Sequence, residues 1–405
     1  MKNTRSLCVA AVLFAIFAAG GSPSFGQGSL TPPGAPAKTM LSLDQIGSKV
    51  DTVDTNVDTA NATLNVLAAK AEKRTPINSL PYAISAPGSY YVTGNLPRRS
   101  GGGGITISAS NVTVYLNGVA LDGTGAPAST SGIVINDNLK NVQVYGGAIA
   151  NWPGKAVAAG TNTSTTVFED LRIRDCGSGG IASGNNCVVR RCEVNNCAGG
   201  PGVSVGSYCV VDQVSCTSNG KGIVGIQLVQ VSRCSVISSN GNGIDVGSGG
   251  SVTDCFVKFN SGTGIASLGS ALIANCNVEG PFTAVHAGST STVQDCTLSA
   301  GSDDAIAADG GCLVQRNLCS GNGPGGGTVG IHTTSGGNRI QENHIRSVAV
   351  GILLTGTHNL TIGNSITNSN TPFAVPPPGN FTGTQVTSGA AMNAATNSLV
   401  NVVMP

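Results

Sequence analysis

Charge is the first scarcity in this chain. Only 10% of the 405 residues are Asp, Glu, Lys or Arg, well under half the usual quarter. The 21 basic and 20 acidic side chains leave a formal charge of +1, and no polybasic run occurs. Neither nucleic acid nor an anionic membrane surface therefore has an electrostatic footing as a partner. Aromatic residues amount to 4%, with Trp152 the sole Trp, so a stacking platform for sugar rings is limited to a few Tyr and Phe. Past the N-terminus no stretch stays apolar for the ~20 residues that a spanning helix needs. Glycine, by contrast, is abundant at 58, about twice the usual share. With Val, Ile, Thr and Asn also plentiful, the bulk should be short strands punctuated by tight turns.

The opening "MKNTRSLCVAAVLFAIFAAGGSPSFGQ" joins Lys2 and Arg5 to an apolar run from about Leu7 to Ala19 and then small residues. That layout is a secretory signal peptide over residues 1–26, with cleavage after Gly26 or near Gly21. A membrane anchor is the rival reading, and the run is short for one. The mature chain is expected to be secreted, at the cell surface or in the periplasm, without a membrane partner after cleavage. Residues 27–42 form a Pro-rich linker. Over 43–74, Leu43, Ile46, Val50, Val53, Val57, Ala60, Leu64 and Leu67 step by alternating threes and fours, a heptad seam. Asp, Thr and Asn between them are poor helix formers, so the helix needs partners. β-branched residues on the seam lean toward three strands, which makes a homotrimeric coiled coil one expectation. A single helix docked on the main domain is the other.

From Ser131 onward a small residue followed by an aliphatic one recurs, the aliphatic falling at 133, 157, 181, 203, 226, 244, 265, 285, 306, 331 and 352. The mean spacing, (352 − 133)/10, is about 22, inside the window of a solenoid. A repeat this short and Gly-rich cannot hold a helix pair and lacks leucine-rich spacing, so each unit should be one coil of strands. The expected fold is all-β, a single-stranded parallel β-helix of about 11–12 coils over 111–370. Residues 75–110 would be an N-terminal cap, and 371–405, with three consecutive prolines, a C-terminal cap. These residues resemble the right-handed parallel β-helix repeat family of the pectin-lyase-like superfamily. The resemblance covers about residues 75 to 370, and "TPINSLPYAISAPGSYYVTGNL" looks like the first segment of exported bacterial members.

Stacked coils turn sequence spacing into vertical files. Eleven residues past the aliphatic marker stand Cys192, Val214, Cys255, Cys276, Cys296 and Asn317; Cys234 follows after eight, Asn343 and Asn364 after twelve. A second file holds Cys176, Cys197, Asn219, Asn260 and Asn322, and a third sets Cys187 beneath Cys209. Buried thiols pack as small apolar groups, and stacked Asn side chains can bond along the axis. A linear file of thiols does not converge on one metal ion. Cys176 with Cys197, or Cys187 with Cys209, lie close enough to form a disulfide in an exported protein. Just before the thiol file, outward charges should pair between coils as Arg233 with Asp254, Asp295 with Arg316, and Arg316 with Glu342.

"SDDAIAADGG" sets Asp303 beside Asp304, and it resembles the "GDDCI" element of the polygalacturonase branch. That resemblance implies a general acid within the pair and glycoside hydrolysis between two carboxylates. The departures are Thr283 where the branch has another Asp, Val329 where it has His, and no Arg-Lys element in "HNLTIG". Asp before a turn also caps its own backbone, the structural alternative. A looser catalytic grouping adds His286 and His332, each directly after a marker and facing outward, with Asp245 two coils below His286. No cofactor is expected; calcium would need six to eight oxygens, and neighbouring coils offer no carboxylate in that file. Two functions remain. One is a surface, matrix or appendage module that binds or displays, toward extracellular polysaccharide or a surface protein. The other is a polysaccharide lyase or glycoside hydrolase. The sequence alone favours the first, because it shows no complete acid–base set.

Overall fold

The computed structural model describes residues 42–70, 73–96, 102–280, 282–375, 378–387 and 400–404. The signal peptide, nearly all of the Pro-rich linker and much of the C-terminal tail lie outside these. Two units result, residues 1–71 and 72–405. The first contains one α-helix, Leu43–Lys70. Its N-terminus is closed reciprocally: Gln45 N donates to Ser42 Oγ at 3.2 Å, and Ser42 N to Gln45 Oε1 at 3.0 Å. No described helix is long and apolar enough to cross a membrane.

The second unit is a parallel β-solenoid whose coils carry three strands each. On the first face, Tyr82, Ile105, Ile133, Val157, Ile181, Val203, Ile223, Ile244, Ile265, Val285, Ile306, Ile331, Ile352 and Phe373 stand in one file, each in register with the next. Fourteen rungs exceed the 11–12 expected because Tyr82 and Phe373 hold the file without the small-plus-aliphatic signature, while Gly104–Ile105 carries it inside the segment 75–110 expected to be a cap. The second face stacks Phe168, Val189, Val211, Val231, Val252 and Ile273. The third stacks Ile173, Val194, Cys216, Val236, Val257 and Val278. All of these but Tyr82 and Phe373 are buried in one continuous core, and those two pack against it half-buried. Each fully buried Val or Ile contributes roughly 1.5–3 kcal/mol, so stability accrues rung by rung.

One marker was misplaced by the sequence. "GIVGI" offers two candidates, and Ile223 occupies the file while Ile226 is exposed. The irregular spacings of 23 and 18 become 20 and 21, and Cys234 falls eleven residues past its marker like the others. The small residue before each marker sits at a corner too tight for a side chain. A Cβ on Gly222 would lie 2.2 Å from both Val236 Cγ1 and Gly243 O, and one on Gly264 would lie 2.3 Å from Val278 Cγ1. Ala284 and Ala305 instead precede, fourteen residues on, Leu298 and Cys319, which carry no branch at Cβ.

The thiol and amide files do one job. Before each of them the chain turns through a left-handed residue, from Asp170 and Arg191 to Arg316 and Glu342, with φ between 50° and 57°. The next N–H then points along the interior toward the following coil. Asn accepts it with Oδ1: Cys296 N to Asn317, Asn317 N to Asn343, Asn343 N to Asn364 and Asn364 N to Asn401, all at 3.0 Å. Cysteine does so more weakly through sulfur, as in Cys276 N to Cys296 Sγ at 3.5 Å. A second amide ladder, absent from the sequence reading, runs from Cys312 through Asn338 and Asn359 to Asn380. Asn322, expected in the second file, is exposed instead.

Asn343 is bonded on both sides of its amide. Its Oδ1 accepts from Asn317 N and Nδ2, and its Nδ2 donates to Val314 O and Asn364 Oδ1, each at 3.0 Å. Asn343→Leu orphans several buried partners at about 1–3 kcal/mol apiece, so a loss of about 2–4 kcal/mol is expected in chemical denaturation. A loss below about 1 kcal/mol would show the ladder to be dispensable.

The twelve described cysteines are buried free thiols, including Cys176, Cys197, Cys187 and Cys209, for which disulfides were weighed. Cys187 N donates to Cys209 Sγ at 3.3 Å instead. Burial pushes the Cys192 thiol up to about 11 and raises Cys216, Cys312 and Cys319 as well. With no access from solvent, the twelve thiols should be inert. Alkylation of the unreduced protein should label them only after denaturation, as read by intact mass; labelling in the folded state would contradict the buried file.

The outer charges pair differently from expectation. Arg316 does bind Asp295 through Nε and a terminal nitrogen, both at 2.8 Å. Arg233, however, turns to Asp212 at 2.6 Å rather than to Asp254, and Arg191 reaches Asp170 at 2.9 Å. Each of these arginines, at a left-handed corner, thus reaches a carboxylate on the preceding coil.

Candidate functional site

On the first face the residue after each marker points outward. From the middle of the rod that file reads Ala182, Ser204, Val224, Asp245, Ala266, His286, Ala307 and His332. Small side chains pave it, and its ionisable groups fall in the coils of 245 to 332. Asp245 is held by Lys221 Nζ at 3.0 Å and Asn242 Nδ2 at 2.6 Å.

The coil of Ile306 carries the carboxylates. Asp304 opens the strand Asp304–Ala308 and is 6% exposed. Its Oδ2 lies 3.0 Å from His332 Nδ1 on the next coil. The register puts Ala307, a small residue, directly beneath His332, which leaves the ring room to lean across the strand. The hydrogen bond to Asp304 raises the imidazole pKa above its ordinary value; burial opposes this, and the charges of Asp304 and Asp303 reinforce it. His332 Nε2, the other ring nitrogen, has Thr355 Oγ1 as a long hydrogen-bond partner at 3.5 Å.

The other two candidates are differently engaged. Asp303 Oδ2 accepts from Thr283 Oγ1 at 2.8 Å, so the residue at the resemblance's missing Asp position ties Asp303 to the coil below. His286 lies below Ala307 in the outward file, and its Nε2 is 3.5 Å from Asp309 Oδ1. Asp309 also accepts from Thr334 Oγ1 at 2.7 Å. The grouping of Asp303, Asp304, His286 and His332 thus divides into an Asp304–His332 pair, a His286–Asp309 pair and an Asp303–Thr283 tie. Asp309 escaped the sequence reading because it stands three residues past its marker, beyond the positions compared.

An imidazole oriented through Nδ1 by a buried carboxylate, with Nε2 outward, can take up or deliver a proton at that nitrogen. His286 stands two rungs away, roughly 10 Å at ~4.8 Å per rung. Among the described residues no group of three or more His, Cys, Asp or Glu side chains could hold a metal ion. A wider groove of about 730 Å³ lies at the corner of the second and third faces, lined by Arg172, Arg191, Arg233, Asp170 and Glu193. Its arginines Arg191 and Arg233 are already engaged in the ion pairs above.

Residues 225–400 match the family described as a right handed beta helix region. Among solved structures the chain is similar to the A-module of an Azotobacter vinelandii mannuronan C-5 epimerase, at 10% identity over 85% of this chain and 93% of that one, TM-score 0.40. It is similar to a Streptococcus pneumoniae surface protein and adhesin, at 8% identity over 82% and 91%, TM-score 0.40. A periplasmic alginate epimerase gives 11% identity over 78% and 77%, TM-score 0.42. At such values the likenesses carry no argument about activity. No curated protein matches the chain.

Proposed function

The chain is a right-handed parallel β-helix protein, and from that premise we propose that it is exported, takes an extended polysaccharide along its first face, and acts on it by proton transfer at Asp304 and His332. The observation that carries this is the 3.0 Å contact between Asp304 Oδ2 and His332 Nδ1. It supports reading the two as an acid–base pair, which the sequence alone left incomplete. The small side chains of the same outward file leave a flat strip on which a linear polymer can lie. Asp304 holds the ring and its charge, His332 Nε2 exchanges the proton with the bound chain, and Asp303 fixes the turn that presents Asp304.

A second reading, display or binding without turnover as a surface or matrix module, is favoured by the exposed apolar seam of the N-terminal helix. One experiment separates the two. The purified protein is incubated with uronic-acid and neutral polysaccharides while unsaturated products, reducing ends and binding are followed. Turnover supports the catalytic reading. Binding alone supports display, and neither would overturn both.

A further inference from the structure

A notch on the opposite edge of the solenoid, where the third face turns back toward the first, has the makings of a separate sugar site. It encloses about 370 Å³ and is lined by Phe259, Ser261, Glu279, Gly280, Gly301 and Asn322, among others. That volume falls within the range of small-molecule sites.

Phe259 is the anomaly that points to a ligand. It stands two residues past the buried third-face residue, in a left-handed conformation with φ 56°. The same place in other coils holds Asp175, Asn196, Ser218, Ser238, Ser347 and Asn368, all left-handed with φ between 51° and 56°. Asp and Asn tolerate that conformation through their short polar side chains, and a bulky ring there is an outlier. Packing does not explain the choice, because Phe259 is 62% exposed. In a chain with 4% aromatics, a ring is held out over solvent where Asn or Ser would fit more easily.

Directly above it the file continues as Gly280, Ala300 and Gly321, so no side chain larger than a methyl stands over the ring. Polar groups converge from the sides: the Glu279 carboxylate, held by Lys258 Nζ at 3.1 Å, and the Asn322 amide, which donates to Gly301 O. An apolar floor with acceptors at its rim suits the C–H face and hydroxyls of a pyranose. With Glu279 and Lys258 paired, the rim carries no net positive charge to draw a uronate. We propose that this notch binds a neutral hexose unit of a glycan. The inference rests on the polysaccharide reading above but not on the chemistry at Asp304 and His332.

The test titrates the protein calorimetrically with neutral gluco-, manno- and galacto-hexasaccharides and with hexagalacturonate, comparing wild type with Phe259→Asn and Glu279→Gln. Phe259→Asn installs the residue that this file already accepts, so its thermal midpoint should hold or rise. Binding of a neutral hexasaccharide should weaken about tenfold or more in Phe259→Asn, the loss expected of one aromatic stacking contact, and several-fold in Glu279→Gln. Equal affinity in wild type and Phe259→Asn overturns the notch while leaving the first-face reading intact. Binding of hexagalacturonate alone overturns it too, and no binding of any glycan sinks both readings.

Discussion

Asp304→Asn is expected to cut turnover of a bound polysaccharide by about 10²- to 10⁴-fold, the range that a positioned proton-transfer group supplies. The amide keeps the shape and can still meet His332 Nδ1, so binding should change little and the loss should fall on kcat rather than KM. What disappears is the negative charge that holds the imidazolium. His332 in the variant should titrate closer to an ordinary histidine, which its ring-proton shift in NMR would show. Retained turnover, or an unmoved His332 titration, would remove the pair from the mechanism.

The same contact makes stability depend on pH. The folded-state pKa of His332 is raised above its unfolded value, chiefly by the hydrogen bond to Asp304. The pair therefore stabilises fully at pH below the ordinary imidazole value of about 6.5, and the contribution fades as pH climbs through the raised folded value. The thermal-midpoint gap between wild type and Asp304→Asn should be widest in mild acid, above the carboxylate range, and narrow toward pH 9. A gap that widens with pH would reverse the sign and contradict the pairing.

Much of this architecture was legible because a solenoid converts spacing into contact. Once the aliphatic markers set the register, Cys255, Cys276, Cys296 and Asn317 had to share a file, and the coordinates stack them. The register failed where the sequence offered two equal signals, at Ile223 and Ile226, since only packing against Val203 and Ile244 tells them apart. It was silent where the signature is missing, at Tyr82 and Phe373. Directions of long side chains were not legible either. Arg233, at a left-handed turn, pairs with Asp212 on the coil below, and the sequence offered Asp254 above it equally well. At the candidate site the columns put His332 within a rung of Asp304, but the 3.0 Å contact depends on the small Ala307 beneath the ring. Asp309 was missed altogether, for it lies in a turn where spacing carries no fixed meaning.

Val50→Asp combined with Val57→Asp should convert an associated protein into single chains, read as a fall to one third in the mass measured by light scattering. On the single chain Leu43, Ile46, Val50, Val53, Val57 and Leu64 are all exposed, between 44% and 86%. A 28-residue helix with its apolar seam in water is not self-sufficient. Thr52, Thr55, Thr59 and Thr63 each bond back to the carbonyl four residues earlier, a contact that satisfies the hydroxyl without strengthening the helix. Val50 and Val57 share one seam position and Ile46 and Val53 the other, and β-branched residues at both favour three strands over two. Two carboxylates per helix would face each other across such a core, at a cost that three valine contacts cannot offset. The β-solenoid has its own core from Ile77 onward, so its unfolding midpoint should stay put while helical circular dichroism falls with the mass. A wild-type protein that is monomeric at micromolar concentration, with its helical signal intact, would overturn the seam as an interface between copies.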